Sequence, residues 1–194
     1  GLGLSVRPSL TAGGGVPAPK AGFEEAHDAS LDITKTLGAN TLAAFTVNTD
    51  FAETEVDTRR TNLTRFPLFF PERREFFLEG STFLDFPPGD AQPFFSRRIG
   101  LKDGQPQKIL FGGKLTGQIG KQDVGALHVR TGEDDGAPGS GTRLASEDFT
   151  ALRVKRRFGR QSFAGLLYPR RAGVDDEAGI IDQHTLGYDV TLAT

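Results

Sequence analysis

The residues of this chain best equipped for chemistry are crowded into one stretch, Val47 to Gly80, VNTDFAETEVDTRRTNLTRFPLFFPERREFFLEG. Asp50, Glu53, Glu55 and Asp57 open it. The last three sit two residues apart, so in an extended segment their carboxylates point one way. Such an oxygen-rich run is a candidate Ca²⁺ site, since that ion takes about six to eight oxygen ligands. The glycine-centred EF-hand loop is missing. The plainer reading of the same run is a polar strand face answering nearby arginines. Glu72 and Glu79 supply the two carboxylates that glycoside hydrolysis needs, but neighbouring arginines lower a carboxyl pKa rather than raise it to make an acid. The chain has no nucleophile elbow, zinc-helix motif or phosphate-binding P-loop. Its three scattered histidines, His27, His128 and His184, make no metal centre. Catalysis is not expected, and calcium is the one cofactor suggested.

The same stretch continues as a block of phenylalanines locked between charges, and Phe94-Phe-Ser-Arg-Arg-Ile-Gly100 repeats that chemistry. Aromatic content on this scale argues against disorder. The expectation is an insert, residues 49–108, that folds as a plug or constriction. Phe66, Phe69, Phe70, Phe76 and Phe77 would form a small core. Arg65, Arg73, Arg74, Arg97 and Arg98 would pair with Glu72, Glu75, Glu79 and carboxylates of the surrounding scaffold, because charges survive burial only when paired and hydrogen-bonded. The same residues, Arg65, Glu72, Arg73, Arg74, Glu79, Arg97 and Arg98, are the candidates for touching a solute.

The elements that must hold this insert read as strands. Leu31, Ile33 and Leu37 alternate with Asp32, Thr34 and Thr36, and TLAAFTVN follows. Beyond the insert, Ile109, Phe111, Leu115 and Ile119 oppose Lys114, Thr116 and Gln118. Leu127 and Val129 oppose His128 and Arg130; Leu152 and Val154 oppose Arg153, Lys155 and Arg157. Leu186, Tyr188, Val190 and Leu192 oppose Thr185, Gly187, Asp189 and Thr191. Residues 2–12 alternate weakly, and Gly13 to Ala29 reads as a Gly/Pro-rich connection. With SFAGLLYP this gives about eight strands of period two. Short turns of one form, Leu37-Gly-Ala-Asn40, Ile119-Gly-Lys-Gln122 and Phe158-Gly-Arg-Gln161, alternate with long loops.

Alternating strands joined by short turns at one end and long loops at the other are the pattern of an outer-membrane barrel. A soluble sandwich with one solvated face has the same period. The absence of Trp, with only two Tyr, thins the usual aromatic girdle, which sixteen Phe partly replace. A net charge of −2 gives no pull toward nucleic acid. The absence of cysteine excludes disulfides and thiol nucleophiles. No run of about 18 apolar residues suggests a membrane helix. A chain that starts at Gly1 and holds no methionine is expected to be a processed form or a fragment of a longer barrel. Between Lys108 and Arg171, twelve Lys/Arg face six Asp/Glu. That excess would suit an anion-selective lumen or serve to pair with the acidic insert.

Several strings resemble a bacterial family of predicted outer-membrane barrels, DUF5916. They are Val47-Asn-Thr-Asp-Phe51, the acidic run Glu53 to Asp57, Asn62-Leu-Thr-Arg-Phe66, Leu68 to Gly80, Phe94 to Gly100, and the strand from Ile109 to Ile119. Members often carry an N-terminal family-9-like carbohydrate-binding module, which is not present in these residues. The resemblance implies an all-β antiparallel transmembrane barrel in the outer membrane of Gram-negative bacteria. Its partners would be outer-membrane lipid and a carbohydrate or other small solute. It implies no established reaction. The alternatives are a structural or interaction barrel without transport and, from another class, a soluble carbohydrate-processing domain.

Overall fold

The computed structural model describes residues 3–15, 24–49, 72, 74–86, 94, 96–102, 105–133, 144–158, 161–173 and 182–193. Alternation of side chains along extended backbone builds one antiparallel sheet from these residues. In chain order the strands are β1 (Leu4–Gly15), β2 (Glu24–Leu37), β3 (Thr41–Thr49), a two-residue pair β4 (Leu101–Lys102) and β5 (Gln105–Pro106), β6 (Ile109–Ile119), β7 (Gln122–Thr131), β8 (Glu147–Arg157), β9 (Phe163–Gly173), β10 (Gln183–His184) and β11 (Gly187–Thr191). The nine-stranded sheet runs β1-β2-β3-β6-β7-β8-β9-β10, with β11 also on β9. The β4–β5 pair forms a separate small sheet. Between β3 and β6 lie a single helical turn, α1 (Glu75–Leu78), and two 3₁₀ turns, Ser81–Phe83 and Ser96–Arg98.

All eight expected strands are present. Two are longer than expected: β1 runs through Gly15 and β2 starts at Glu24, paired from Gly15↔Glu24 to Leu4↔Lys35, so much of the presumed connection is strand. Gly38 and Gly120 take positive φ, 66° and 61°, at the two short turns the repeated motif marked. The sheet is not closed. Among the described residues, β1 forms one edge and β10 with β11 the other, and no ladder joins them. Among the described residues the fold is therefore an open, all-β antiparallel sheet.

The two faces of the sheet have opposite characters. Strand register puts Leu4, Val6, Leu10, Leu37, Phe45, Ile119, Leu152, Val154, Leu166, Tyr188 and Val190 on one face, and all are exposed. The other face is covered by the insert and carries buried polar groups, among them Thr46, Lys114, Thr116, Thr131, Glu147 and Arg153. Strand β7 inverts the pattern. Leu127 and Val129 are buried, while His128 and Arg130 lie on the opposite face. The inversion has a reason: the insert brings Phe77, Leu84 and Ile99, which need apolar ground, and they cluster with Ile109, Leu127, Val129 and Ala151.

One expectation about facing is corrected. Ile109 and Phe111 do not share a face, because the β6–β7 register shifts between them. This bulge turns Ile109, fully buried, into the insert's cluster, while Phe111 stays with Leu115 on the outer side.

The close approach of the insert is recorded in a glycine. A Cβ at Gly125 would stand 2.7 Å from the carbonyl oxygen of Phe83, whereas one at Gly113, on the outer face, would meet nothing closer than 4.0 Å. Gly125→Ala is expected to cost about 1–3 kcal/mol through overpacking and to speed hydrogen exchange at Phe83 and Leu84. Gly113→Ala should leave both unchanged. Equal effects of the two substitutions would mean that the insert does not rest on β7.

Candidate functional site

The site is the seam between the insert and the polar face. Its centre is Arg74, the residue just before α1. Arg74 Nε and Nη2 each donate to Glu72 at 2.7 Å, one to each carboxylate oxygen. Nη1 donates to the Ile99 carbonyl at 2.5 Å and Nη2 to the Ser96 carbonyl at 2.8 Å. Ser96 Oγ donates to Glu72 at 2.8 Å. The guanidinium also lies 4.1 Å from the centroid of the Phe77 ring. A planar fork with five donors suits this work, since it can hold a carboxylate and two carbonyls together. Arg74 thereby ties Glu72 and α1 to residues 96–99. Burial alone would raise the Glu72 carboxyl pKa, but the Arg74 hydrogen bonds and charge, with Ser96, outweigh it and hold the group below the ordinary value.

The insert is fastened to the sheet by two further cations. Arg7 of β1 pairs with Glu75 at 2.5 Å, and its hydrogen bond lowers the Glu75 pKa. Both side chains are well exposed, so this contact contributes little to stability. Lys114 of β6 is buried and donates to the carbonyls of Phe76 and Glu79, where α1 ends. Carbonyls at a helix C-terminus lack intrahelical partners, so an ammonium there satisfies them. Phe76 and Phe77 meet edge to face, with centroids 5.1 Å apart.

Elsewhere on the covered face the charges are paired across strands. Arg153 of β8, 1% exposed, reaches over Gly165 of β9 to Asp189 of β11, with hydrogen bonds of 2.5 and 2.7 Å. A Cβ at Gly165 would stand 2.6 Å from the Asp189 carboxylate, so glycine keeps the path open. Phe86 of the insert covers the Arg153 guanidinium, 5.2 Å from the ring centroid. Arg171 of β9 likewise forks onto Glu147 of β8, at 2.5 and 2.9 Å, beside Phe149.

Of the residues singled out from sequence, the structure brings Glu72 and Arg74 together as the central pair. Phe76 and Phe77 join the insert's interior, with Phe77 in the buried cluster. Glu79 contributes its backbone carbonyl to Lys114. Arg97 and Arg98 lie with Ser96 in the second 3₁₀ turn, with Arg98 exposed. Arg65, Arg73, Phe66, Phe69 and Phe70 lie outside the described residues, as do the calcium candidates Asp50, Glu53, Glu55 and Asp57. Among the described residues, no group of three or more His, Cys, Asp or Glu could hold a metal ion. Sequence reasoning missed Arg7 and Lys114 as fasteners and Asp189 as the partner of Arg153. Lys114 sat in view as a cation in a strand facing the insert. Nothing local marks Arg7 or Asp189, since their partners are 68 and 36 residues away.

These features define an all-β sheet with a charge-clasped, phenylalanine-rich insert. Residues 27–114, from β2 through the insert into β6, match the family described as "Domain of unknown function (DUF5916)". The matched stretch contains the motifs from Val47 to Gly100 on which the resemblance rests. No curated protein and no solved structure matches the chain.

Two predictions concern the central pair. Arg74→Ala strands a buried carboxylate and two carbonyls, and should destabilise the docked insert by about 3–5 kcal/mol, read as faster hydrogen exchange at Ser96 to Ile99 with the strands still protected. Glu72 has a depressed folded pKa, so its contribution is complete above the ordinary carboxylate pKa and is lost as the pH falls through the folded value. Acid should therefore loosen the insert of the parent protein more steeply than that of Glu72→Gln. Identical acid profiles would remove Glu72 from the clasp.

Proposed function

We propose that this chain is part of an antiparallel β-barrel of the bacterial outer membrane, with the insert lodged in its lumen as a plug that binds or gates a small solute. The observation that carries the reading is the inverted polarity of the sheet. Large apolar side chains of seven strands are exposed on one face, while arginine, lysine and glutamate are buried on the other. A water-soluble sheet has the reverse need, because its aliphatic face is what burial stabilises. Hydrocarbon rewards aliphatic side chains and tolerates charge only where it is paired and hidden. The strands of nine or more residues are long enough to cross a bilayer when tilted. Among the described residues the edges at β1 and at β10–β11 are unpaired, and a barrel in lipid would have to close them.

The clasped insert also favours a second reading, a barrel that organises the envelope or docks a partner without passing solute. Flux of small sugars and of anions through liposomes carrying the protein separates the two. Carbohydrate remains the proposed solute class, on the family's association with a glycan-binding module.

Membrane residence is tested by fractionation of cells and by gel mobility with and without heating. The protein is expected in the outer-membrane fraction, detergent-dependent and heat-modifiable. Leu166→Arg, on the outer face, should cost about 2–4 kcal/mol if it lies near the bilayer midplane and reduce the folded fraction. A protein that is monomeric in detergent-free buffer, with Leu166→Arg as stable as the parent, would end the membrane reading.

A further inference from the structure

Where α1 lies over the first three strands there is a cavity of about 150 Å³. Its floor is the covered face of β1 and β2, where the strand register sets Ser5 beside Thr34 and Arg7 beside Asp32. The short side chain of Ala44, from β3, completes the floor. Glu75 and Phe76 of α1, with Glu79 at its end, form the roof. We propose that this cleft binds one ring of a neutral sugar.

The hydrogen-bonding capacity of the lining carries the proposal. Asp32 accepts from Thr46 Oγ1 at 2.5 Å through one carboxylate oxygen, which leaves its other oxygen for a ligand. Among the described residues, the Glu79 carboxylate and the hydroxyls of Ser5 and Thr34 have no hydrogen-bond partner. Arg7 turns Nη1 and Nη2 toward Glu75 and keeps Nε–H to donate. Acceptors, donors and hydroxyls that can act as either therefore surround a space the size of one ring.

The same lining disfavours charged ligands. The carboxylates of Asp32, Glu75 and Glu79 outnumber the single guanidinium of Arg7, so an anion is repelled. A cation would find Arg7 already in its place. Glu75 raises the Arg7 pKa through its hydrogen bond and its charge, and the charges of Asp32 and Glu79 add to the rise. A sugar brings no net charge. Each of its hydroxyls donates once and accepts twice, so neighbouring hydroxyls can donate to Asp32 or Glu79 and accept from Arg7, Ser5 or Thr34. The bonds to the ionised groups are the stronger ones. Phe76 supplies apolar surface for the C–H groups of the ring, beside the polar groups that orient it.

The volume sets the size of the bound unit. A cavity of about 150 Å³ is enough to hold benzene, so this one takes a single six-membered ring. The side chains of Arg7 and Glu75 are 59% and 74% exposed, so the cleft opens to solvent on their side and a longer saccharide can leave there. The proposal rests on carbohydrate as the solute class of the proposed function and names where that solute is held.

The test uses the whole chain, in detergent if it needs one, with D-glucose, D-galactose, D-mannose and D-xylose as probes. Glucuronate, glucosamine and cyclohexanol serve as anionic, cationic and apolar controls built on the same ring size. At least one neutral sugar is expected to bind saturably by calorimetry or ligand NMR, at least fivefold tighter than glucuronate or cyclohexanol. Glu79→Gln removes an exposed charge and keeps the backbone carbonyl that meets Lys114, and should weaken that sugar at least fivefold. Thr34→Trp fills the cleft from its floor and should abolish binding, while unchanged hydrogen exchange at Ser96 to Ile99 shows the insert still docked. If Thr34→Trp does not fold, Glu79→Gln decides. Glucuronate or glucosamine binding more tightly than all four sugars would overturn the proposal. Sugar binding untouched by the variants would remove this cleft and leave carbohydrate as the solute. No sugar binding, together with no sugar flux through liposomes, would remove both. Heat-modifiable mobility is read separately, so the membrane assignment stands or falls by itself.

Discussion

A charge removed from water must find its opposite or a set of dipoles, and this requirement organises the protein. The covered face of the sheet carries Arg153, Arg171, Lys114 and Glu147, any of which would unfold its surroundings if stranded. Each is met by a group from another element: Asp189 across a glycine, Glu147 on the next strand, the carbonyls that end α1. The insert obeys the same rule internally, with Arg74 satisfied by Glu72, Ser96 and Ile99. Aromatic rings lie beside several of these guanidiniums and keep water from competing. Packing alone would leave the insert free to slide over a polar surface. Directional ion pairs fix where it sits.

This explains why the insert can be rich in charge and still behave as a core element. Among the described residues, Phe77 packs over the patch provided by Leu127, Val129, Ala151 and Ile109. Phe76 lies against Gly112 and beside Lys114, and Phe86 against Gly187 and beside Arg153. The interior is therefore mosaic, with an oily spot under α1 and polar seams on either side.

Much of the fold was legible because period-two alternation is a local signal, and the eight strands and the positive-φ glycines of two turns follow from it directly. The insert's character was legible too, since Glu72, Arg74, Phe76 and Phe77 announce themselves by composition. The extent of β1 and β2 was hidden by Gly13, Gly14 and Gly15, residues that ordinarily punctuate chains but here sit in a ladder. The bulge at β6 was hidden because an extra residue leaves no mark in a hydrophobic pattern that reads cleanly through it. The partners of Arg7 and Arg153 were hidden because only the folded register brings residues so distant in sequence together. Closure is of the same kind: alternation says which way side chains point, and says nothing about where the two edge strands go.

The bulge at Leu110 has a consequence for how the chain tolerates change in length. Upstream of it, the polypeptide is phased to the insert; downstream, to the wall. The extra residue acts as a gear change between two rhythms. Its deletion would force a choice between withdrawing Ile109 from its oily spot and rotating Lys114 and Thr116 to the outside. This junction is counted to the residue.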